Sequence, residues 1–129
     1  MPDVAPTYPK PAGGVRKQGT KTVRWTLTAS QTGKPVSLPD YPDKTVTISG
    51  TFGGAVTFEG CNELRGDGDH TDYANAKYVP ITDSLDAAAI SKTSDAGEVV
   101  LQNYLWVRPK AAAGVSSVNI DLVCVKGRL

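Results

Sequence analysis

The clearest pattern of apolar and polar positions runs from Thr45 to Asn62. Apolar residues occupy nearly every second position from Val46 to Phe52, between threonines and serines, and the alternation resumes from Val56 to Phe58. A period of two is typical of strands that bury one face. The segment therefore predicts two consecutive half-buried strands, which are separated by the pair Gly53-Gly54.

Two connections between these strands fit the pattern. A three-residue loop over residues 53–55 places Phe52 opposite Val56 and puts the large apolar side chains on one face. This hairpin is the preferred interpretation, and it predicts a positive φ at Gly53 or Gly54. In the alternative, the two segments belong to different sheets and the glycine pair forms the arch between them.

Further strands are predicted where apolar residues recur between turn signals. They are a strand at Val23–Leu27, a short strand at Pro35–Leu38, an edge strand at Tyr78–Ile81, a long strand at Glu98–Lys110 ended by Pro109, and a final strand at Val118–Lys126. The segment Asp83–Lys92 fits one or two helical turns and fits a loop equally well. Roughly six to eight strands spaced by turns predict an all-β fold, a single antiparallel β-sandwich of jelly-roll type.

The first twenty residues lack this alternation. The stretch MPDVAPTYPKPAGGVRKQGT holds four prolines and three glycines, and proline has no N–H for the interior of a sheet. We therefore predict an extended arm over residues 1–20 and a β-sandwich domain over residues 21–129.

Charge is balanced over the chain but uneven along it. The 129 residues include 14 basic and 13 acidic side chains, so no general attraction to nucleic acid is expected. Residues 1–21 carry four bases and one acid, whereas residues 59–98 carry nine acids and three bases. Tyr8, Arg16 and Lys17 are therefore candidate contacts of the arm with a partner, and the alternative is a tail without a role.

The cysteines and the apolar runs bear on the compartment of the protein. Cys61 and Cys124 both lie in predicted strands, which indicates small buried thiols, with an inter-strand disulfide as the alternative. No apolar N-terminal segment resembles a secretory signal, and no apolar run approaches the length of about 18 residues typical of a membrane span. We expect a protein of a reducing compartment without a membrane partner.

The segment Glu63–Lys77 is polar and rich in glycine and aspartate. Asp67, Asp69 and Asp72 are potential oxygen ligands for calcium, but the EF-hand spacing is absent. His70 is the single histidine, and zinc requires further nitrogen or sulfur ligands. We therefore expect a solvated acidic loop, and neither a metal nor another cofactor.

Catalytic motifs are not recognisable in the sequence. No Ser-His-Asp, Cys-His or paired-carboxylate arrangement stands out, and this predicts a protein that is not an enzyme. The aromatic residues divide into two groups. Those on predicted strands are expected in the core, and those in loops are candidate anchors for a protein or a sugar ring. The first group is Trp25, Tyr104 and Trp106, and the second is Tyr8, Tyr41 and Tyr73.

Several short motifs follow one another between Lys21 and Val125, namely SGTFGGA, YVPITD, AISKT, YLWVRP and VNIDLVCV. Their order resembles that in small proteins encoded in the structural gene clusters of tailed phages. Some of these are similar to the head-decoration, or cement, proteins of short-tailed phages. The resemblance implies a β-sandwich that forms homo-oligomers, dimers or trimers, and binds the major capsid protein. It implies no catalytic residues, and both the arm and the acidic loop are longer here than in the shorter members.

Two functional hypotheses follow from the sequence. The first is a structural protein of the virion, made in the host cytoplasm, which stabilises the head from the capsid surface. The second is a carbohydrate- or receptor-binding β-sandwich of a phage tail, which would use loop aromatics such as Tyr41 and Tyr73.

Overall fold

The computed structural model describes residues 4–9, 20–62, 77–82, 88–100 and 102–125. These residues form strands and no α-helix. The strands are β1 (Thr20–Leu27), β2 (Asp43–Thr51), β3 (Val56–Cys61), β4 (Val79–Pro80), β5 (Ser91–Lys92), β6 (Ala96–Val100), β7 (Trp106–Ala111) and β8 (Ser117–Val125). They pair antiparallel in two sheets, and the prediction of an all-β sandwich is confirmed.

The first sheet has four strands in the order β1-β8-β2-β6. Strand β8 lies at its centre and pairs along its whole length with β2, from Asp43–Val125 to Thr51–Ser117. In β8 the apolar residues from Val118 to Cys124 are buried at every second position, and the residues between them are partly or fully exposed. The period of two in the sequence therefore places one face of this sheet in the core.

The second sheet is built around β3. Strands β4 and β5 share one edge of β3, and β7 pairs with the other edge. Residues 31–36 extend the sheet beyond β7, through isolated bridges from Thr32 to Lys110 and from Val36 to Val107. This sheet is therefore assembled from short pieces, whereas the first sheet consists mainly of long strands.

The preferred hairpin around the glycine pair is wrong. Strand β2 belongs to the first sheet and β3 to the second, so Gly53-Gly54 lies in the arch between them. Both edges of β2 are already occupied, by β8 and β6, and no edge is left for β3. Among the described glycines the positive φ, 137°, occurs at Gly50 and not in the pair. Gly53 is required for another reason, since a Cβ there would overlap the carbonyl oxygen of Gly114.

The predicted long strand at Glu98–Lys110 is two strands. Its first part is β6, which pairs with β2, and its second part is β7, which pairs with β3 and continues past Pro109 to Ala111. The chain thus crosses from one sheet to the other between these strands. Of the predicted helix or loop at Asp83–Lys92, residues 83–87 lie outside the described residues and the rest is not helical.

The core lies between the two sheets. Trp25 of β1 and Phe58 of β3 are fully buried and meet edge to face, with ring centroids 6.3 Å apart. The Trp25 indole N–H donates to the Lys34 carbonyl at 3.0 Å, so its polar edge is satisfied. Cys61 and Cys124 are buried and form no disulfide, as the preferred interpretation of their positions predicts.

Residues 4–9, which we call the N-terminal seam, connect the edges of the two sheets. The Val4 N–H donates to the Thr32 carbonyl, and the Lys34 N–H donates to the Val4 carbonyl. Three residues further on, Thr7 and Arg24 of β1 exchange both backbone hydrogen bonds. The predicted arm therefore starts with a segment paired to the sandwich. Residues 10–19 lie outside the described residues, and the boundary between arm and domain stays a prediction.

Candidate interaction surfaces

The outer face of the first sheet consists mainly of β-branched side chains. Side chains alternate along a strand, and the register of the four strands aligns the outward positions in rows. We call these residues the threonine–valine face. They are Thr20, Thr22, Thr26, Thr45, Thr47, Thr51, Val99, Val123 and Val125.

Three valines on this face are exposed. Val99, Val123 and Val125 expose 49%, 37% and 41% of their surface, and they are three of the five exposed large apolar residues in the described part of the chain. Val123 lies between Thr22 and Thr45, and Thr45 lies beside Val99. A row of β-branched side chains therefore crosses all four strands.

Charges on the outer face of the first sheet are few and mostly paired. Arg24 donates from Nε to Oδ1 of Asp121 at 2.6 Å and from Nη2 to Oδ2 at 2.9 Å. This hydrogen bonding and the Asp121 charge raise the pKa of the Arg24 guanidinium, and the opposite formal charges leave the pair internally neutral. Asp43 lies at a corner of the face, next to Val125.

The outer face of the second sheet has a different chemistry. The Arg108 guanidinium lies over the Tyr78 ring, 3.6 Å from its centroid, and donates from Nε to Glu59 at 2.7 Å. The Arg108 and Glu59 side chains are only 16% and 17% exposed. We call these three residues the Tyr78–Arg108–Glu59 stack. The stack is therefore held together by contacts within the chain.

A buried lysine closes one end of the sandwich. Lys44, at the start of β2, is 1% exposed and lies on the inner face beside Cys124. Its ammonium donates to the Asn103 side-chain oxygen, and the Asn103 amide donates to the Pro39 carbonyl at 3.0 Å. Burial lowers the pKa of Lys44, and the neighbouring thiol and Asp43 act in the opposite direction.

The thiol beside Lys44 is held in its protonated form. Burial raises the pKa of Cys124 from 9.0 to about 11, although the nearby Lys44 and Lys21 charges favour the thiolate. Since the thiolate is the nucleophilic form, this cysteine is a weak nucleophile near neutral pH.

The structure places two of the predicted contact residues. Tyr8 of the seam is 47% exposed, and the Lys21 ammonium lies 4.9 Å from its ring centroid. Tyr41 is half-buried and packs against the core. The other candidates, Arg16, Lys17 and Tyr73, lie outside the described residues. Of the predicted core aromatics, Trp25 and Trp106 are buried and Tyr104 packs partly against the core.

Several surface residues were not singled out from the sequence. A signal was present for Val123, which occupies an outward position between Asp121 and Val125 in an otherwise regular alternation. The local sequence contained no signal for the surface position of Val99 or for the partners of Arg108. These positions depend on strand pairings between segments that are distant in sequence.

The candidate calcium ligands Asp67, Asp69 and Asp72, with His70, lie outside the described residues. Within the described ranges, no group of three histidine, cysteine or acidic residues is placed to hold a metal ion. The same ranges contain no helix with the length and apolar character of a membrane span.

Known proteins resemble this chain in fold. No protein-family model matches it, and no curated protein matches it in sequence. The SPBc2 prophage-derived protein YomS superposes with a TM-score of 0.59 at 15% identity, over 87% of this chain and 99% of that protein. A cupin domain from Bordetella pertussis Tohama I superposes with a TM-score of 0.51 at 10% identity, over 98% and 96% of the two chains. At these identities the likeness shows the fold, a jelly-roll-like β-sandwich.

The prediction that the chain is not an enzyme is corrected, because the fold is shared with a cupin domain and does not by itself exclude catalysis. Oxalate oxidase, an enzyme, matches with a TM-score of 0.48 at 10% identity, over 88% of this chain and 45% of its own. A missing catalytic motif was too weak a reason to exclude catalysis, because one fold can carry unrelated functions. The prediction is wrong as a conclusion from the sequence.

Proposed function

We propose that this chain is a bacteriophage structural protein that associates with copies of itself and binds the outer surface of the capsid. The observation that carries the proposal is the likeness to a prophage-derived protein over nearly the whole of both chains. The order of motifs from SGTFGGA to VNIDLVCV, which resembles that of proteins encoded in phage structural gene clusters, supports the same assignment.

Binding to a shell and to copies of the chain requires two separate surfaces. The exposed Tyr8 ring and the Lys21 ammonium form an aromatic–cation pair at the edge of the first sheet. The sequence between them adds Lys10, Arg16 and Lys17, so this stretch of the chain is basic. A basic rim attracts an acidic shell surface, and salt screens such attraction. We assign the shell contact to this edge.

Co-sedimentation of the full-length protein with undecorated capsid shells tests the proposal. We expect saturable binding at a fixed ratio to capsid subunits, and weaker binding at high salt. Replacing both Tyr8 and Lys21 with alanine is expected to weaken binding about tenfold or more. The control variant, Lys110→Ala, removes an exposed lysine on the second sheet and is expected to bind like the wild type. Absence of sedimentation with shells at low salt would refute the proposed function.

The carbohydrate-binding alternative gains no support from the described residues. Tyr41, one of its two candidate side chains, packs against the core and is not free to stack on a sugar ring.

A further inference from the structure

The threonine–valine face differs from an ordinary solvated sheet face. A solvated face usually carries lysine and glutamate, which favour water and discourage association. The outward positions of the first sheet contain neither residue in the described strands. The outer face of the second sheet, by contrast, includes Glu59, Arg108 and Lys110. Depletion of lysine and glutamate is a feature of protein interfaces, and contiguous exposed apolar side chains mark interaction sites.

The charges of this face indicate the kind of partner. A two-fold interface brings a surface against an identical copy, so every unpaired charge near the axis meets its like. Arg24 and Asp121 neutralise each other within one chain, through two hydrogen bonds. Asp43 is the remaining formal charge at these positions, within the described strands, and it lies at a corner. The face is therefore electrostatically compatible with itself and offers little attraction to a strongly charged partner.

The size of the face is sufficient for a weak or moderate dimer. The two central strands are nine residues long. With about 3.3 Å per residue and about 4.8 Å between strands, the face covers roughly 500 Å² per copy. Two copies would bury about 1,000 Å², which reaches the lower limit of specific interfaces.

We propose that a second copy of this chain packs face to face on the threonine–valine face, and that this contact makes the protein a two-fold dimer. The two sheets would stack about 10 Å apart, as the sheets of a sandwich do, with the valines near Val123 in the dry centre. This inference takes its biological setting from the proposed function and names the surface through which the copies associate.

Sedimentation velocity of the purified full-length protein, without shells, tests the dimer. We expect the wild type to be a dimer that dissociates on dilution. Val99→Asp lies on the edge strand β6, and we expect it to weaken association at least about tenfold, because it buries an unpaired charge in the interface. The double variant, Val99→Asp with Val123→Asp, is expected to weaken dimer association at least about a hundredfold. Val79→Asp changes an equally exposed valine on the second sheet and is expected to dimerise within about twofold of the wild type.

Thermal melting of each variant checks that it is folded. If the double variant does not fold, the single variant Val99→Asp still tests the dimer interface. A wild type that is monomeric at every accessible concentration overturns the inference. So does a trimer, or a dimer that responds to Val79→Asp but not to Val99→Asp.

The inference and the proposed function fail in different ways. A dimer that depends on Val99 but does not sediment with shells refutes the proposed function and supports this interface. A monomer that binds shells refutes the interface and the self-association, and leaves the shell binding of the proposed function standing. If the wild type is monomeric and Val99→Asp abolishes shell binding, the face binds the capsid instead, and the inference is again overturned.

Discussion

The outer faces of the two sheets each carry one arginine–carboxylate pair across neighbouring strands, in different surroundings. On the first sheet the Arg24 and Asp121 side chains are 44% and 24% exposed. On the second sheet the Arg108 and Glu59 side chains are 16% and 17% exposed, and the Tyr78 ring covers the guanidinium. The same chemical pair is thus open to solvent on one face and enclosed on the other.

This difference in exposure indicates that the first face is suited to association, whereas the groups of the second face are already covered by contacts within the chain. Around Arg24 the neighbouring side chains are short and β-branched, so the surface is flat and a second sheet can approach it. Around Arg108 an aromatic ring already occupies the position that a partner would take. The two sheets are therefore expected to differ in how much each of these features contributes to stability.

The largest effect is expected at Gly50, where β2 leaves the first sheet for the arch to the second. Its φ is 137°, and a Cβ there would overlap the carbonyl oxygen of Ser117. We expect Gly50→Ala to lower the free energy of unfolding by about 2–4 kcal/mol. A Cβ at Gly97 of β6 would lie 3.9 Å from its nearest neighbours on β2, so Gly97→Ala is the matched control with little expected loss. Equal denaturation midpoints for the two variants would show that the corner at Gly50 is not constrained.

The next largest effect is the dependence of the unfolding free energy on pH, which we expect to come from Cys124 of the first sheet and not from Cys61 of the second. The folded-state pKa of Cys124 is raised from 9.0 to about 11, so the folded protein holds this proton more tightly than the unfolded chain. The resulting stability is fully present below pH 9 and is lost as the pH rises through 11, by up to roughly 2–3 kcal/mol. We expect Cys124→Ala to remove this loss from the profile of unfolding free energy against pH. Cys61→Ala is the control in which the loss persists, and an unchanged profile in Cys124→Ala would contradict the assignment.

The N-terminal seam joins the two sheets, and its removal tests how far they depend on each other. Residues 4–9 contribute four backbone hydrogen bonds at Val4, Lys34, Thr7 and Arg24. At about 0.5–1.5 kcal/mol each, less the entropy of ordering the segment, we expect deletion of residues 1–9 to cost about 2 kcal/mol. Tyr8→Ala leaves these backbone bonds in place and should melt close to the wild type. A deletion variant with wild-type stability would identify the seam as a passive part of the arm.

The smallest effect compares the two ion pairs directly. Double-mutant cycles with Arg24→Met and Asp121→Asn, and with Arg108→Met and Glu59→Gln, measure the coupling free energy of each pair. We expect less than about 1 kcal/mol for the exposed pair and about 1–2 kcal/mol for the enclosed pair. High salt is expected to reduce the first coupling more than the second. Equal couplings would mean that the Tyr78 ring and the lower exposure have no energetic consequence.

The sequence predicted the first sheet better than the second, for a physical reason. Strands β1, β2 and β8 each bury one face, and the resulting alternation is visible in the sequence. Strands β4 and β5 have two residues each, which is too short for any period to appear. The crossing between β6 and β7 was missed because the apolar residues on both sides of Gln102 and Asn103 were interpreted as one strand, and the partners of the two halves are distant in sequence.

The interaction surfaces were harder to predict than the strands. The arm residues were proposed from composition alone, and of these only Tyr8 is placed. The threonine–valine face depends on register, since Val99 and Val123 come together only when β6 and β8 both flank β2. A single sequence specifies which residues of a strand point outward, but not which strands lie side by side.

The most direct test of the proposed function is the protein composition of virus particles purified from cells that carry the gene for this chain. Quantitative mass spectrometry of particles freed of soluble protein gives the number of copies relative to the major capsid protein. A capsid-surface protein is expected in a fixed ratio to capsid subunits, and the ratio should fall when particles are washed at high salt. If the chain is abundant in extracts of infected cells but absent from washed and unwashed particles, it is not a structural protein of the virion, and the proposed function is contradicted.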